Sequence, residues 1–415
     1  MAICALRQRV GPALFLLTAA TLHADERATL TGKVVGVSGE AIEHVSVLVY
    51  EARVKQGFSL FCPTCYTDCG KRAVTDAGGN YKIEGLNSEL KFTLLAMRDG
   101  YATVYLKNVD PAKGPAENAV LKPRQAIADP SQLFRGRVTD RDGKALRDAV
   151  VEQQGVMFKL PDGRIATTFG SDDWIEQTAV TNEKGEFELA YGKQAVQMVV
   201  QVNARGMAPK LSTQPTGVER RTLVVTDGAT VRGRLRRDGK PVTGAELGLL
   251  TYSRMSGMTY PEARIGTQDD GTFTITNVPA GRIWVVYPKM ASLASRGLAG
   301  QPVLVETKDD GQEIDLGDIE LKPAYSLRGR VVLSDGSAIP PGMRVSLTPE
   351  RGADSQQVTL DSEGRFEFDG LASGVYSVSP AVRGFRLPQV QGQWVEALVQ
   401  GNVDNLVIQM TPARR

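Results

Sequence analysis

Cys62-x-x-Cys65-x-x-x-Cys69 is the densest group of reactive side chains in the 415-residue sequence. Three thiols so close together can do three kinds of chemistry. They can close a structural disulfide. With His44 as a fourth ligand they can hold zinc, which accepts a Cys3His set. As a C-x-x-C pair they can exchange disulfides, work usually done at a helix N-terminus that lowers one thiol pKa. No helical pattern follows Cys62. His44 starts a predicted strand whose far end feeds the cysteine loop, so distance is against zinc. The residues therefore favour a disulfide. Cys62 to Cys69 is the expected pairing, because a bridge inside C-x-x-C closes a strained ring. Cys65 is then a spare thiol, free or joining two chains in a disulfide-linked dimer.

Aromatic side chains form the second set. Phe58 precedes the cysteines and Tyr66 lies between Cys65 and Cys69, Trp174 stands in SDDWIEQ, Tyr260 in MTYPEA and Trp394 in VQGQWVEAL. Rings among polar neighbours can serve as platforms for a sugar or peptide, or can fold back onto their own domain. Trp284, in RIWVVY, reads as core. Acidic pairs (Asp140 and Asp142, Asp269 and Asp270, Asp309 and Asp310) carry oxygen ligands of the kind calcium takes. They read more simply as turn residues.

Composition removes most other chemistry. The histidines are His23 and His44, and His23 lies in a leader expected to be cleaved. One histidine cannot build a two-histidine zinc protease site. No G-x-S-x-G, Walker A or G-x-G-x-x-G motif occurs. No cofactor is implied. Lys plus Arg number 49 and Asp plus Glu 47; without Arg7 and Arg9 of the leader the two signs balance. A balanced chain has no global field to draw nucleic acid. Residues 1–24 combine Arg7 and Arg9, an apolar run from Val10 to Leu22, and Ala24 at a cleavage position, the pattern of a signal peptide. That run is shorter than the roughly 20 residues of a membrane span. An exported protein, periplasmic or secreted and without a membrane span, is expected.

The elements that must position these residues come in repeats. TGKVVGVSGEAIEHVSVLVY at 31–50 returns as RGRVTDRDGKALRDAVVEQQG at 135–155, RGRLRRDGKPVTGAELGLL at 232–250 and RGRVVLSDGSAIPPGMRVSL at 328–347. The anchoring glycines are Gly32, Gly136, Gly233 and Gly329. A second motif keeps the same phase: VTDAGGNYKIEGL, VTNEKGEFELAYG, TQDDGTFTITNVPAG and LDSEGRFEFDGLASG. Two residues after its turn glycine stands Tyr81, Phe187, Phe273 or Phe366. Two further on stands Ile83, Leu189, Ile275 or Phe368. That period of two marks a strand with one face in a core. Closely spaced strands with Gly and Pro turns, and no helical period after the leader, read as β-sandwiches.

The G-[KR]-V opening, the D-G-[KR] turn and the G-x-[FY]-x-hydrophobic strand resemble carboxypeptidase regulatory-like domains. The resemblance implies a transthyretin-like, prealbumin-type sandwich, within a carbohydrate-binding-like fold group, and non-catalytic modules. The expectation is all-β: four tandem Greek-key sandwiches after a signal peptide. They would cover 25–123 (with the cysteine loop), 131–227, 228–323 and 324–415. Short linkers suggest a semi-rigid rod. Its expected role is non-catalytic: a binding or scaffold protein presenting loops to a protein or polysaccharide of the cell envelope. The alternatives are a carbohydrate-binding array using the loop aromatics and, behind it, a thiol- or metal-dependent enzyme centred on Cys62–Cys69.

Overall fold

The computed structural model describes residues 27–56, 68–169, 175–192, 194–252, 265–350, 354–388 and 394–413. Their regular structure is almost entirely strand, and one arrangement recurs. In the first unit, Arg27–Gly36 pairs antiparallel with Asn80–Asn87 and parallel with Ala119–Leu121. A second, antiparallel sheet runs in the order Arg72–Val74, Ser46–Val54, Leu90–Met97, Val104–Val109. Leu30, Val34, Val47, Ile83, Phe92 and Leu94 fill the core between them.

The later units repeat this plan. Leu133–Thr139 lies between Glu186–Ala190 and Gly217–Val224. Ala229–Arg237 lies between Thr272–Val278 and Glu313–Glu320, and Tyr325–Leu333 between Arg365–Leu371 and Val403–Pro412. Each is backed by an antiparallel sheet and encloses its own apolar cluster. The protein is thus all-β, with sandwich sheet pairs along the chain. The parallel pairing of opening and closing strands was not foreseen. Parallel neighbours need a long crossover, and here the second sheet is that crossover.

The repeated glycine and aromatic are one device. Gly32, Gly136, Gly233 and Gly329 stand opposite Tyr81, Phe187, Phe273 and Phe366 in the antiparallel ladder. Each aromatic side chain lies across its glycine, and a Cβ there would fall 2.3 to 2.6 Å from it. A strand glycine marks such a close approach. The turn glycines complete the register. Gly79, Gly185, Gly271 and Gly364 have φ between +73° and +79°. Their carbonyls accept from the N–H of Val34, Val138, Leu235 and Val331 at 2.8 to 2.9 Å.

Two local features add to this plan. In the second unit Val150–Lys159 forms a hairpin with Ile165–Phe169, and Phe158 faces Ala166 across the ladder. Pro161-Asp162-Gly163 is its turn signal. The third unit carries a short helix, Met290–Leu293, continued by a 3-10 turn that ends on Gly297. At this length it was invisible to a search for helical period. Trp284 is fully buried, as its strand suggested. Its Nε1 donates to the carbonyl of Pro279 at 3.0 Å. Among the described residues no helix is long and apolar enough to cross a membrane.

Candidate functional site

Cys62, Cys65, Phe58 and Tyr66 lie outside the described residues, as do Trp174 and Tyr260. Both roots of the cysteine loop are described. On the outgoing side, Lys55 Nζ pairs with Asp110 at 2.5 Å. On the return, Cys69 is half-buried and packs against the first core. Beside it Asp68 is only 2% exposed. Its Oδ1 accepts from Arg27 Nη1 at 3.1 Å and from Lys71 Nζ, and its Oδ2 accepts from the Asn87 N–H at 2.8 Å. A buried carboxylate is tolerated when its lone pairs are met in this way. Gly70 N–H donates to Val49 O at 2.8 Å, so the return is fastened to both sheets.

His44 is at the other end of that second-sheet strand, with its N–H on Thr75 O and its Nε2 3.2 Å from Glu43 Oε1. Four residues, Val45–Leu48, separate His44 from Val49, so the two lie five steps apart, roughly 16 Å at about 3.3 Å per step. His44 and Cys69 therefore do not meet on one ion, and the Cys3His alternative loses its fourth ligand. Trp394 stands 48% exposed ahead of Val395–Val399. It belongs to the fourth unit and Cys69 to the first, so they share no cleft. Asp140 closes its own turn, accepting from the N–H groups of Asp142 and Lys144. Asp310 instead reaches into the second unit, to Arg141 at 3.1 Å and the Thr226 hydroxyl at 2.7 Å.

The contacts that sequence reasoning missed lie between the units. At the first junction Leu95 and Met97 of unit one pack with Val180 of unit two, with Leu48 and Tyr50 against them. The Tyr50 hydroxyl donates to Gln177 Oε1 at 2.6 Å. Burial, aided by Glu152, pushes its pKa up. Arg124, in the linker, holds both sides. Its N–H donates to Gly100 O of unit one at 3.0 Å. Its guanidinium forks onto both oxygens of Glu176 in unit two, at 2.5 and 2.6 Å, and meets Glu188 as well. Burial pushes the Glu188 carboxyl up, but Arg124 and Arg135 outweigh it and hold the pKa below the usual range.

At the second junction Asn277 Nδ2 donates to the carbonyls of Gly206 and Asp227, both at 2.9 Å. Leu211 of unit two packs against the third core. At the third junction the short helix is shared: Leu293 belongs to the third core and Met290 to the fourth. Gln301 Nε2 donates to Ser373 O at 2.9 Å. The Met290 N–H donates to the Asp354 carboxylate. Short linkers, read as a semi-rigid rod, were the sequence's hint of such restraint.

Fold and contacts together define a multi-domain β-sandwich protein. Within it, residues 326–411 match the family model described as carboxypeptidase regulatory-like domain. No curated protein matches the sequence. Among solved structures, the TIE protein of Bacillus anthracis is similar at 13% identity, over 94% of this chain and 75% of that one, with a TM-score of 0.21. A streptococcal ancillary pilin is similar at 14% identity, over 68% and 99%, with a TM-score of 0.24. The minor pilin GBS52 of Streptococcus agalactiae is similar at 16% identity, over 46% and 98%, with a TM-score of 0.25.

Proposed function

We propose that the chain is a non-catalytic exported binding or scaffold protein. Its four sandwich domains, 25–123, 131–227, 228–323 and 324–415, stand in a row behind a cleaved leader, 1–24. All four are of the carboxypeptidase regulatory-like type. The glycine–aromatic register device, present in each unit, extends the likeness of 326–411 to the rest. The observation that carries the reading is the bridging of every boundary by side chains from both neighbours. Arg124 binds Gly100 and Glu176 at once, a restraint that a freely jointed chain does not need. Such a molecule holds its loops at fixed spacing and presents them to a protein of the cell envelope.

The test is direct binding of the mature chain to purified envelope proteins and to a glycan array. Saturable binding to one protein, lost when 57–67 is replaced by a Gly/Ser segment of equal length, supports the reading. Micromolar binding to a polysaccharide, lost in Trp174→Ala, replaces it with the carbohydrate-binding array. Alkylation without reduction, read by mass spectrometry, counts the thiols. One modified cysteine in the mature protein is expected. Three would contradict the Cys62–Cys69 disulfide.

A further inference from the structure

The third junction is not filled. A cavity of about 160 Å³ opens between units three and four, walled by Tyr287, Tyr376, Pro288, Pro302 and Pro349, with Asp354 in its lining and Glu350 at its rim. A cavity of about 150 Å³ admits a benzene-sized molecule, so this one has room for the end of one side chain. Its polar groups are mainly acceptors, with the Tyr287 and Ser373 hydroxyls able to donate as well. The Tyr376 proton is committed to Ala372 O at 2.9 Å, and one Gln301 N–H to Ser373 O. The oxygens of Tyr376, Gln301 and Asp354 remain as acceptors. The Tyr287 hydroxyl, on a side chain 9% exposed, has no hydrogen-bond partner among the described residues.

Charge points the same way. Among the described residues Asp354 receives a single N–H, from Met290. Lys289 is the cation near it among the described residues, and its Nζ is shared with Glu246 at 3.3 Å. Burial pushes the Asp354 carboxyl up to about 6, with Glu246 adding to the rise and Met290 and Lys289 opposing it. At neutral pH a carboxylate therefore faces a small space with aromatic and proline walls. Such walls suit an alkyl stem, and the ring faces attract a cation.

We propose that this cavity is a binding site for an alkylammonium or guanidinium group. The cationic end would pair with Asp354 and accept no hydrogen bond, and its stem would lie between Tyr287 and Tyr376. The group comes either from a lysine or arginine side chain of a partner polypeptide or from a free amine. The site is remote in sequence from the loops of the first three units and goes beyond the reading given above, which stands or falls without it.

Calorimetric titration of the mature chain tests the site. The probes are Nα-acetyl-arginine amide, Nα-acetyl-lysine amide and the neutral Nα-acetyl-norleucine amide. Saturable binding of a cationic probe, at least tenfold tighter than norleucine, is expected. Asp354→Asn should lose at least tenfold in affinity. The asparagine oxygen still accepts from Met290 N–H, so the junction keeps that bond. Glu350→Gln, at the rim, should lose about threefold. A pentapeptide with central arginine binding tighter than n-butylamine identifies a polypeptide source, and the reverse a free amine. No saturable binding, or equal binding by Asp354→Asn, overturns the proposal. Should that variant unfold, amide shifts in the wild type decide. Shifts at Tyr287, Gly300 and Tyr376 support the site, and shifts confined elsewhere overturn it.

Discussion

The first and third junctions solve one problem with different materials. Between units one and two the space is filled by Leu95, Met97 and Val180, and the linker is clamped by Arg124. Between units three and four a four-residue helix is shared by two cores, and a cavity lined by acceptors remains beside it. Filling a junction with apolar side chains stabilises by removing area from water and leaves nothing for a ligand. Leaving a hollow loses those contacts and creates a place where polar groups converge. The comparison assigns the first junction to spacing and the third to spacing with recognition.

The largest blow to the first junction is Leu95→Ala. The side chain is wholly buried, and a truncation of this kind costs about 3 kcal/mol. Denaturant unfolding of the pair 25–227 should show units one and two separating into two transitions. A single unshifted transition would break the comparison. Arg124→Ala comes next. It strands Glu176 in a half-buried place, leaves Glu188 to Arg135 alone, and should cost about 2 kcal/mol, less than a fully buried pair. Added salt should recover little of that loss.

Glu152 sharpens the account of the same interface. Burial pushes its carboxyl up to about 7 from an ordinary 4.5, against a hydrogen bond from Gln154. The folded state therefore keeps a proton that the unfolded state has released. The contribution of Glu152 to stability is greatest below about pH 4.5 and falls as pH rises to about 7. Glu152→Gln should remove that slope and stabilise the protein above pH 7 by about 1 kcal/mol. An unchanged slope in thermal melts across this range would show that the carboxylate is solvated. The smallest effect belongs to the third junction. Gln301→Ala removes an exposed bond to Ser373 O and should cost about 0.5 kcal/mol. A loss several times larger would mean that the junction depends on this bond more than on the shared helix.

Much of the fold could be read before any coordinates. The glycine at 32, 136, 233 and 329 and the aromatic two residues beyond each turn are local signals, because a ring over a strand admits no Cβ. The alternation around Tyr81 or Phe366 marks its strand directly. The parallel closing strands were harder, since Ala119–Leu121 pairs with a partner more than eighty residues away. Sequence period says nothing about which strand lies beside which. The junctions were illegible for the same reason. Arg124 reads as an ordinary linker charge until Glu176 and Glu188 are seen beside it. Asp354 reads as a loop acid until Tyr287 and Tyr376 enclose it.

The central claim is that neighbouring sandwiches are held at fixed distances. Pulsed electron–electron double resonance measures this directly, with spin labels on genetically encoded unnatural residues so that the cysteines are untouched. Exposed sites in each pair of units are Val37 with Ile165, and Ile283 with Val407. The account predicts one narrow distance distribution for each pair. Arg124→Ala together with Leu95→Ala should broaden the first pair and leave the second unchanged. Broad distributions for both pairs in the unmodified chain would contradict it, and would make the molecule a set of independently tumbling sandwiches.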